Sequence, residues 1–136
     1  GMLVCRILEQ SPEVMQEVST LVIQAQSDLY EVRKMIHKIG FFIENEKFCM
    51  DAGKPYLVMR AVRGEEKTPY EPAEYEYGRL LPEVSDTAYR KFLLDERDKK
   101  MKLQETLNMQ KTSGAGARVE ELTEEITGLN WILNKF

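Results

Sequence analysis

The sequence predicts a mainly α-helical protein: a bundle of three or four helices with one long N-terminal helix and a C-terminal antiparallel helical hairpin. The first observation is an apolar stripe within residues 12–39 that recurs about every 3.6 residues, the α-helical period. The second is a repeat of three- and four-residue steps between apolar residues from Val119 to Phe136. The third is the stretch 83–113, which contains neither Gly nor Pro. A minor two-stranded β element also fits the pattern.

The N-terminal helix is predicted to begin at Pro12 and to end at Ile39. Its apolar stripe consists of Val14, Val18, Leu21, Ala25, Leu29, Val32, Ile36 and Ile39. Ser11 suits the capping position, and proline fits the first turn of a helix. Gly40 follows the last turn as a stop signal. These boundary signals agree with the stripe, so we expect one continuous helix about 40 Å long.

The segment after Gly40 fits either a helix or a strand. A helix over residues 41–52 is favoured by a shared face, which carries Phe41, Asn45, Phe48 and Ala52. The alternative is a strand that enters a hairpin turn at Asp51–Lys54. The best strand candidate in the chain is Tyr56–Val62, which is rich in β-branched and apolar residues. We interpret Met2–Leu8 as an edge strand that pairs with it.

The chain is predicted to form a single helical domain over residues 2–136. Gly1 is expected to be a remnant of tag removal and is left out. Residues 2–63 contain the long helix and the short helix or strand segment. Residues 64–82 form an extended connector, and residues 83–136 form the helical hairpin.

The connector has the most unusual composition in the chain. It contains three of the five prolines, half of the six tyrosines and five glutamates. Tyrosines pack through their rings and keep a polar tip, and connectors of this length are often functional. One interpretation is a strap that covers the bundle. The other is a partner-binding loop that consists of Tyr70, Tyr75 and Tyr77.

The two C-terminal helices are predicted over residues 86–111 and 118–135. Their simplest arrangement is an antiparallel hairpin, with a flexible turn at residues 112–117. The regular steps of the last helix are typical of a packing seam, which closes either within one chain or between chains. The candidate interface consists of Leu122, Ile126, Leu129, Leu133 and Phe136, with Trp131 at its edge.

No motif in the chain predicts catalytic or ligand-binding chemistry. His37 is the only histidine, and its place among basic residues at a helix end fits an interaction with the helix dipole. Cys5 and Cys49 are the only cysteines, so the chain lacks the closely spaced ligands of a zinc site. Gly53 and Lys54 lack the flanking residues of a phosphate-binding loop. We therefore expect no metal and no cofactor.

The charge pattern argues against a general affinity for nucleic acid. The formal net charge is −4 at pH 7, whereas phosphate binding needs clustered Lys and Arg. The basic segment 97–102 alternates with acids four residues away, so we interpret it as a solvated helix face. No apolar run approaches the roughly 20 residues of a membrane span. The expected location is cytoplasmic, and the expected partner is another protein or a second copy of the chain.

The sequence favours a non-enzymatic helical module for protein–protein interaction or assembly, which self-associates through its apolar seams. The helices predicted at 12–39 and 86–111 are longer than a compact bundle of this size requires. Part of their apolar faces is therefore left over for contact with another chain. A first alternative is a small DNA-binding regulator with a helical dimerisation tail. A second alternative is an enzyme with a carboxylate-based site.

Overall fold

Residues 1–110 and 114–136 are described by a computed structural model of the chain. They form two compact units, residues 1–81 and residues 82–136. The first unit contains a three-stranded sheet with helices, and the second contains two long helices. The elements in chain order are α1 (Met2–Gln10), α2 (Pro12–Glu17), β1 (Thr20–Ala25), α3 (Leu29–Lys38), β2 (Phe41–Asp51), β3 (Lys54–Arg63), α4 (Pro72–Tyr77), α5 (Leu80–Glu83), α6 (Thr87–Gln110) and α7 (Ala115–Leu133).

The three strands form one antiparallel sheet in the order β1–β3–β2. The central strand β3 pairs Val62 with Thr20 of β1 and Arg63 with Phe41 of β2. Because both neighbours run antiparallel to β3, β1 and β2 point in the same direction. The helix α3 connects these two strands, so its N terminus lies at the carboxyl end of β1.

The core of the first unit lies between α3 and one face of the sheet. The buried apolar residues of the sheet are Ile23, Ala25, Phe41, Ile43, Leu57, Met59 and Ala61. Val32 and Ile36 of α3 are fully buried, and Cys5 and Leu8 of α1 add two more buried side chains. Because α3 contacts α1, α4 and β2, it is the central helix of this unit.

The continuous helix predicted over residues 12–39 is wrong. The chain forms α2, β1 and α3 there, and the longest helix of the three, α3, covers only Leu29–Lys38. Thr20–Ile23 is rich in β-branched residues, which favour a strand. Asp28 has a left-handed backbone conformation (φ 55°), which interrupts a helix. The buried positions of the stripe are Ala25 of β1 and Val32 and Ile36 of α3, whereas Val14 of α2 is exposed. Their spacing alone does not distinguish a strand followed by a helix from one helix.

The helix favoured over residues 41–52 is also wrong, and the alternative strand and hairpin are correct. β2 turns directly into β3 through Ala52 and Gly53. Both turn residues have positive φ, 49° and 78°, as a two-residue hairpin turn requires. The strand predicted over Tyr56–Val62 is confirmed within β3. The edge strand predicted over Met2–Leu8 is wrong, because this segment lies in the helix α1. The strand that pairs with β3 on that side is β1.

The connector, residues 64–82, contains the short helix α4 and most of α5, where an extended chain was expected. α4 begins with a capping box, in which the side chains of Glu71 and Glu74 bond to each other's backbone N–H groups. It ends at Gly78, whose φ is 90°. These local signals outweigh the prolines, because Pro72 sits in the first turn of α4, where its missing N–H does no harm.

The second unit consists of α6 and α7, which match the helices predicted at 86–111 and 118–135 to within three residues. Three side-chain pairs connect them: Arg97–Asn130, Lys100–Glu125 and Gln104–Thr123. Their order shows that the two helices run antiparallel, as the hairpin prediction requires. Residues 111–113, at the end of the first predicted helix and in the predicted turn, lie outside the described residues.

The predicted fold class, a mainly α bundle, is therefore wrong, because a three-stranded sheet organises the first unit. The apolar spacing in that unit reports burial, which strands and helices share. That residues 2–136 form a single domain stays a prediction. Within residues 1–110 and 114–136, no helix has the length and apolar character needed to cross a membrane.

Candidate functional site

The loop between β1 and α3 is a polar turn at which a strand ends and the central helix of the first unit begins. Here the turn consists of Gln26, Ser27 and Asp28, all of them exposed. It follows the buried Ala25 directly. This loop is therefore the first candidate site.

Gly1 packs against this loop at short range. Its nitrogen lies 3.4 Å from Ser27 Oγ. A Cβ at this position would overlap with the Ser27 carbonyl oxygen and the Asp28 side chain, so only glycine fits. Gly1, which was expected to be a remnant of tag removal, is thus part of the packed structure.

Two helix N termini converge on the same loop. Gly1 is the N-terminal cap residue of α1, and Asp28 is that of α3. The first backbone N–H groups of a helix have no partner within the helix and favour negatively charged or polar groups. The Ser27 hydroxyl donates to Asp28 Oδ2 at 3.3 Å. The loop therefore offers a hydroxyl, a carboxylate and two helix ends to a polar ligand.

A buried ion pair joins α3 to β2. Arg33 Nε lies 2.8 Å from Glu46 Oε1, Arg33 Nη2 lies 3.3 Å from Glu46 Oε2, and neither side chain is exposed. A β-bulge at Glu44 turns Glu46, instead of Asn45, toward the core. Sequence reasoning misses this pair, because its partners are 13 residues apart and meet only through the bulge.

The same arginine holds α4 in place. Arg33 Nη1 donates to the carbonyl oxygens of Tyr75 and Glu76, at 2.7 and 2.8 Å. These carbonyls lie in the last turn of α4, where the helix supplies no donors. Gly78 packs so closely on the ion pair that a Cβ there would overlap with the Glu46 carboxylate. One side chain thus links α3, β2 and α4.

His37 and two tyrosines form an aromatic cluster beside the ion pair. The His37 ring packs edge-on against Tyr70, at 4.7 Å between centroids, and against Tyr75, at 5.4 Å. His37 Nδ1 lies 2.9 Å from the Tyr75 hydroxyl. Its Nε2 is buried and has no hydrogen-bond partner among residues 1–110 and 114–136. Burial lowers the pKa of His37, so the ring is neutral at neutral pH.

Arg79 closes the cluster from the other side. Its guanidinium lies 4.2 Å from the centre of the Tyr70 ring and bonds to Glu74 at 2.5 Å. It also donates to the carbonyl oxygen of Pro69 at 2.7 Å. The hydrogen bond to Glu74 raises the pKa of Arg79. Burial raises the pKa of Tyr70 far above its ordinary value, so the hydroxyl stays protonated.

Two open cavities flank His37. The first, of about 610 Å³, is lined by His37, Gly40, Gly64, Glu65, Glu66, Pro69 and Tyr75. The second, of about 530 Å³, is lined by Glu31, Lys34, Met35, His37, Lys38 and Tyr75. The first cavity lies near the start of β2 and the end of β3, away from the Ser27–Asp28 loop. The second cavity is lined mainly by residues of α3, the helix that begins at the Ser27–Asp28 loop.

Two of the three tyrosines predicted for partner binding come together in this cluster. Tyr70 and Tyr75 have ring centroids 5.2 Å apart, and both contact His37. Tyr77 is half-buried at the end of α4. The unusual composition of the connector correctly pointed to packed aromatic residues. Their role in binding a partner stays a prediction.

The candidate interface residues of the last helix lie on α7 and at the chain end. They are buried at Leu122 and Leu129, half-buried at Ile126, Leu133 and Phe136, and exposed at Trp131. The rings of Phe136 and Tyr89 of α6 are 6.3 Å apart. Lys135 Nζ lies 4.6 Å from the centroid of Trp131, which is 36% exposed. Contact of these residues with another chain stays a prediction.

Comparison with known proteins identifies the family. A family model described as TrmK, tRNA (adenine(22)-N(1))-methyltransferase, matches residues 1–130, almost the whole chain. The chain therefore belongs to this family. No curated protein sequence matches it.

Solved structures share the fold at low sequence identity. The Bacillus subtilis M1A22 tRNA methyltransferase TrmK is 18% identical with a TM-score of 0.81, and the match covers 96% of this chain and 58% of that one. TrmK from M. capricolum, in complex with S-adenosyl-homocysteine, is 16% identical with a TM-score of 0.75, covering 95% and 55%. A Streptococcus pneumoniae protein in complex with S-adenosyl-L-methionine is 20% identical with a TM-score of 0.78, covering 97% and 55%. The chain thus spans 55% to 58% of the length of these relatives.

These findings overturn the functional predictions made from the sequence. The chain belongs to a family of enzymes, so the non-enzymatic, self-associating assembly module and the DNA-binding regulator are wrong. The regular steps of the last helix, which are also typical of a coiled coil, therefore do not make the chain an oligomerisation module. The family description names tRNA, which contradicts the prediction that nucleic acid is an unlikely partner. The short motifs considered in the sequence did not indicate this family.

Proposed function

We propose that this chain takes part in the methylation of N1 of an adenine in tRNA, at the position that the family description numbers 22. The observation that carries the proposal is the family match over residues 1–130. The fold shared with the two TrmK structures, at TM-scores of 0.81 and 0.75, supports it. Because tRNA is present in the cytoplasm, a cytoplasmic location belongs to the same proposal.

The complete reaction is proposed for a protein of the relatives' length, of which the chain spans 55% to 58%. The methyl donor proposed for it is S-adenosyl-L-methionine, with which the Streptococcus pneumoniae relative was solved. Nucleotide cofactors in such folds rest on a glycine-rich turn between a strand and a helix, where the backbone approaches the ligand. Here Ser27 and Asp28 occupy the turn after β1, and the space beside Gly1 is filled by the Ser27 carbonyl. The residues present do not fit the donor, so we assign them no step in methyl transfer.

The contribution proposed for the described residues is contact with the tRNA. RNA affinity depends on Lys and Arg side chains that are exposed and not neutralised by acids. On α6, Lys99 and Lys100 are paired with acids, at 3.6 and 2.9 Å. Arg90, Lys91 and Lys102 are exposed and form no ion pair within the described residues. These three cations are the proposed phosphate contacts of the helical unit.

A binding titration tests this proposal. Labelled, unmodified tRNA is titrated with the chain, and fluorescence anisotropy is measured at several salt concentrations between about 50 and 200 mM. We expect saturable binding that weakens steeply with salt. The control is an unstructured RNA of the same length, which should bind more weakly. No binding at the lowest salt, or equal affinity for both RNAs, would overturn the proposal.

A methylation assay tests the assignment of the donor site. The chain is incubated with tRNA and S-adenosyl-L-methionine, and nucleosides are analysed by mass spectrometry. We expect no 1-methyladenosine from this chain alone. If 1-methyladenosine formed, and did not form on a tRNA with guanine in place of adenine 22, the chain would contain a donor site after all.

A further inference from the structure

A basic and aromatic row lies along α3. Tyr30, Lys34 and Lys38 are four residues apart, so they lie on the same side of the helix. Both lysines are exposed, and the tyrosine is half-buried. The row begins two residues after Asp28 of the candidate site and extends about 12 Å along the helix. It therefore connects the Ser27–Asp28 loop with the far end of α3.

Two aromatic rings restrain Lys34. Its Nζ lies 5.4 Å from the ring centroid of Tyr30 and 5.6 Å from that of Tyr75. The two rings meet edge to face, with centroids 5.5 Å apart. Cation–π contacts at this distance attract the ammonium group and limit its motion. A lysine that is already ordered loses less conformational entropy when it binds a ligand.

The surroundings of Lys34 favour an anionic ligand. Lys34 and Lys38 line the cavity of about 530 Å³, and Glu31 is the only acid in its lining. Lys34 forms no ion pair with any described residue. Lys38 lies 3.8 Å from Glu9, but the two side chains are 69% and 61% exposed. A pair so long and so exposed contributes little free energy, so Lys38 remains available to a ligand.

We propose that Lys34 and Lys38 contact phosphates of the bound tRNA, and that the rings of Tyr30 and Tyr75 hold Lys34 in position for this contact. The inference rests on the proposed function, since it names the surface of the α/β unit that the tRNA occupies. An RNA strand bound along the row reaches the exposed Ser27–Asp28 loop at the N terminus of α3. The row thereby orients the RNA relative to that loop.

The charge of Lys34 is tested by a substitution that keeps the length of the side chain. Lys34→Gln should weaken tRNA binding about three- to tenfold and lower the slope of log K against log salt by about one. The matched control is Lys54→Gln, because Lys54 is exposed in the β2–β3 turn region and has no ion pair within the described residues. This control should change neither the affinity nor the slope.

The role of the rings is tested with the charge kept constant. Tyr30→Leu removes one ring from Lys34, so we expect tRNA binding to weaken although the net charge is unchanged. The matched control is Tyr56→Leu, because Tyr56 is half-buried in β3 and lies outside the row on α3. This variant should bind tRNA like the wild type. Circular dichroism confirms that each variant is folded before its affinity is compared.

The outcomes separate this inference from the function on which it rests. If Lys34→Gln binds tRNA as tightly as the wild type, or no more weakly than Lys54→Gln, the α3 row is not the contact surface. If Tyr30→Leu has no effect, the rings do not hold Lys34 for binding. If the wild-type chain binds no tRNA at all, the proposed function itself fails.

Discussion

The two compact units are stabilised by contacts of different reach along the chain. In the α/β unit, β1 pairs with β3, and Thr20 lies opposite Val62, which is 42 residues later in the chain. The buried Arg33 of α3 forms an ion pair with Glu46 of β2. In the helical unit, α6 and α7 follow one another and pack along their length. The ion pairs of the helical unit lie near the surface, such as Lys100 with Glu125 at 2.9 Å, where the side chains are 26% and 36% exposed.

The two units therefore differ in how much the loss of a single charge destabilises them. Burial raises the pKa of Glu125, but hydrogen bonds from Lys100 and Arg118 outweigh it and hold the pKa below its ordinary value. Solvent screens these partly exposed charges, so the loss of one costs little. Arg33 and Glu46 have no exposure, so the loss of one leaves the other charged and unpaired in the core. We expect the loss of one charge to destabilise the α/β unit far more than the helical unit, whereas truncation of a buried apolar side chain should destabilise either unit.

The largest effect is expected from Arg33→Met. It should destabilise the α/β unit by about 3–5 kcal/mol, because Glu46 is left as an uncompensated buried charge. The carbonyl oxygens of Tyr75 and Glu76 lose their donor as well. Urea unfolding followed by circular dichroism measures the loss. The matched control is the double variant Arg33→Met and Glu46→Met, which removes both charges and should recover part of the stability.

Hydrogen exchange on the Arg33→Met variant shows whether the two units unfold independently. We expect amides of β1, β2 and β3 to lose protection while those of α6 and α7 keep theirs. An equal loss of protection in both units would contradict independent unfolding. It would instead support the single domain predicted over residues 2–136.

The second largest effect is expected from Leu129→Ala in α7. Leu129 is fully buried, so truncation leaves a cavity and should cost about 2–5 kcal/mol of unfolding free energy. The control is Leu103→Ala on α6, which should cost far less because Leu103 is 43% exposed. Thermal unfolding of both variants gives the difference. Equal losses would show that the packing of Leu129 is not specific to the core of this unit.

A smaller effect is expected from Gly78→Ala. Both Gly78 and Gly40 have positive φ, 90° and 85°, so alanine at either position carries backbone strain of the order of 1–3 kcal/mol. Only at Gly78 does the added Cβ also overlap with the Glu46 carboxylate, whereas nothing lies within 4 Å at Gly40. Unfolding of the two variants should therefore show the larger loss for Gly78→Ala. If Gly40→Ala were as damaging, the ion pair would have room that the structure does not show.

The smallest effect is expected from pH. Burial lowers the pKa of His37 in the folded chain below the ordinary value of 6.5, so the unfolded chain binds this proton at higher pH. The stability of the α/β unit should therefore fall as the pH drops through about 6.5 toward the lowered value. Urea unfolding at pH 7.5 and pH 5.5 measures the change. His37→Gln removes the only histidine and should flatten the profile in this window; an unchanged slope would assign it to other groups.

Local patterns predicted the elements whose contacts are local. The helices α6 and α7 follow from unbroken stretches with helical spacing, and the strand at Tyr56–Val62 follows from its residue types. The single helix predicted over residues 12–39 is wrong because β1 and α3 share one core, so the spacing of their buried residues resembles that of a single helix. The turn at Ala52 and Gly53 was considered only as an alternative, although two positive φ values make it the decisive feature there.

The candidate site was predicted only where composition marked it. Tyrosines in a long connector pointed to packing, and two of them, Tyr70 and Tyr75, do meet at His37. The partners that position them gave no signal, because Arg33 and Glu46 resemble any surface charge until a bulge turns one of them inward. Lys34 likewise looks like an ordinary exposed lysine until the rings beside it are known.

Patterns within short stretches of the sequence were sufficient to predict the two C-terminal helices, the central strand β3 and the packing of the connector tyrosines. These features depend on spacing and residue type, and the free energy that specifies them is local. By contrast, the pairing of β1 with β3, the contact of Glu46 with Arg33 and the position of Lys34 against two rings follow only from the three-dimensional fold. Each of these depends on residues distant in the chain, whose contacts become favourable only once the whole unit has excluded water from its core.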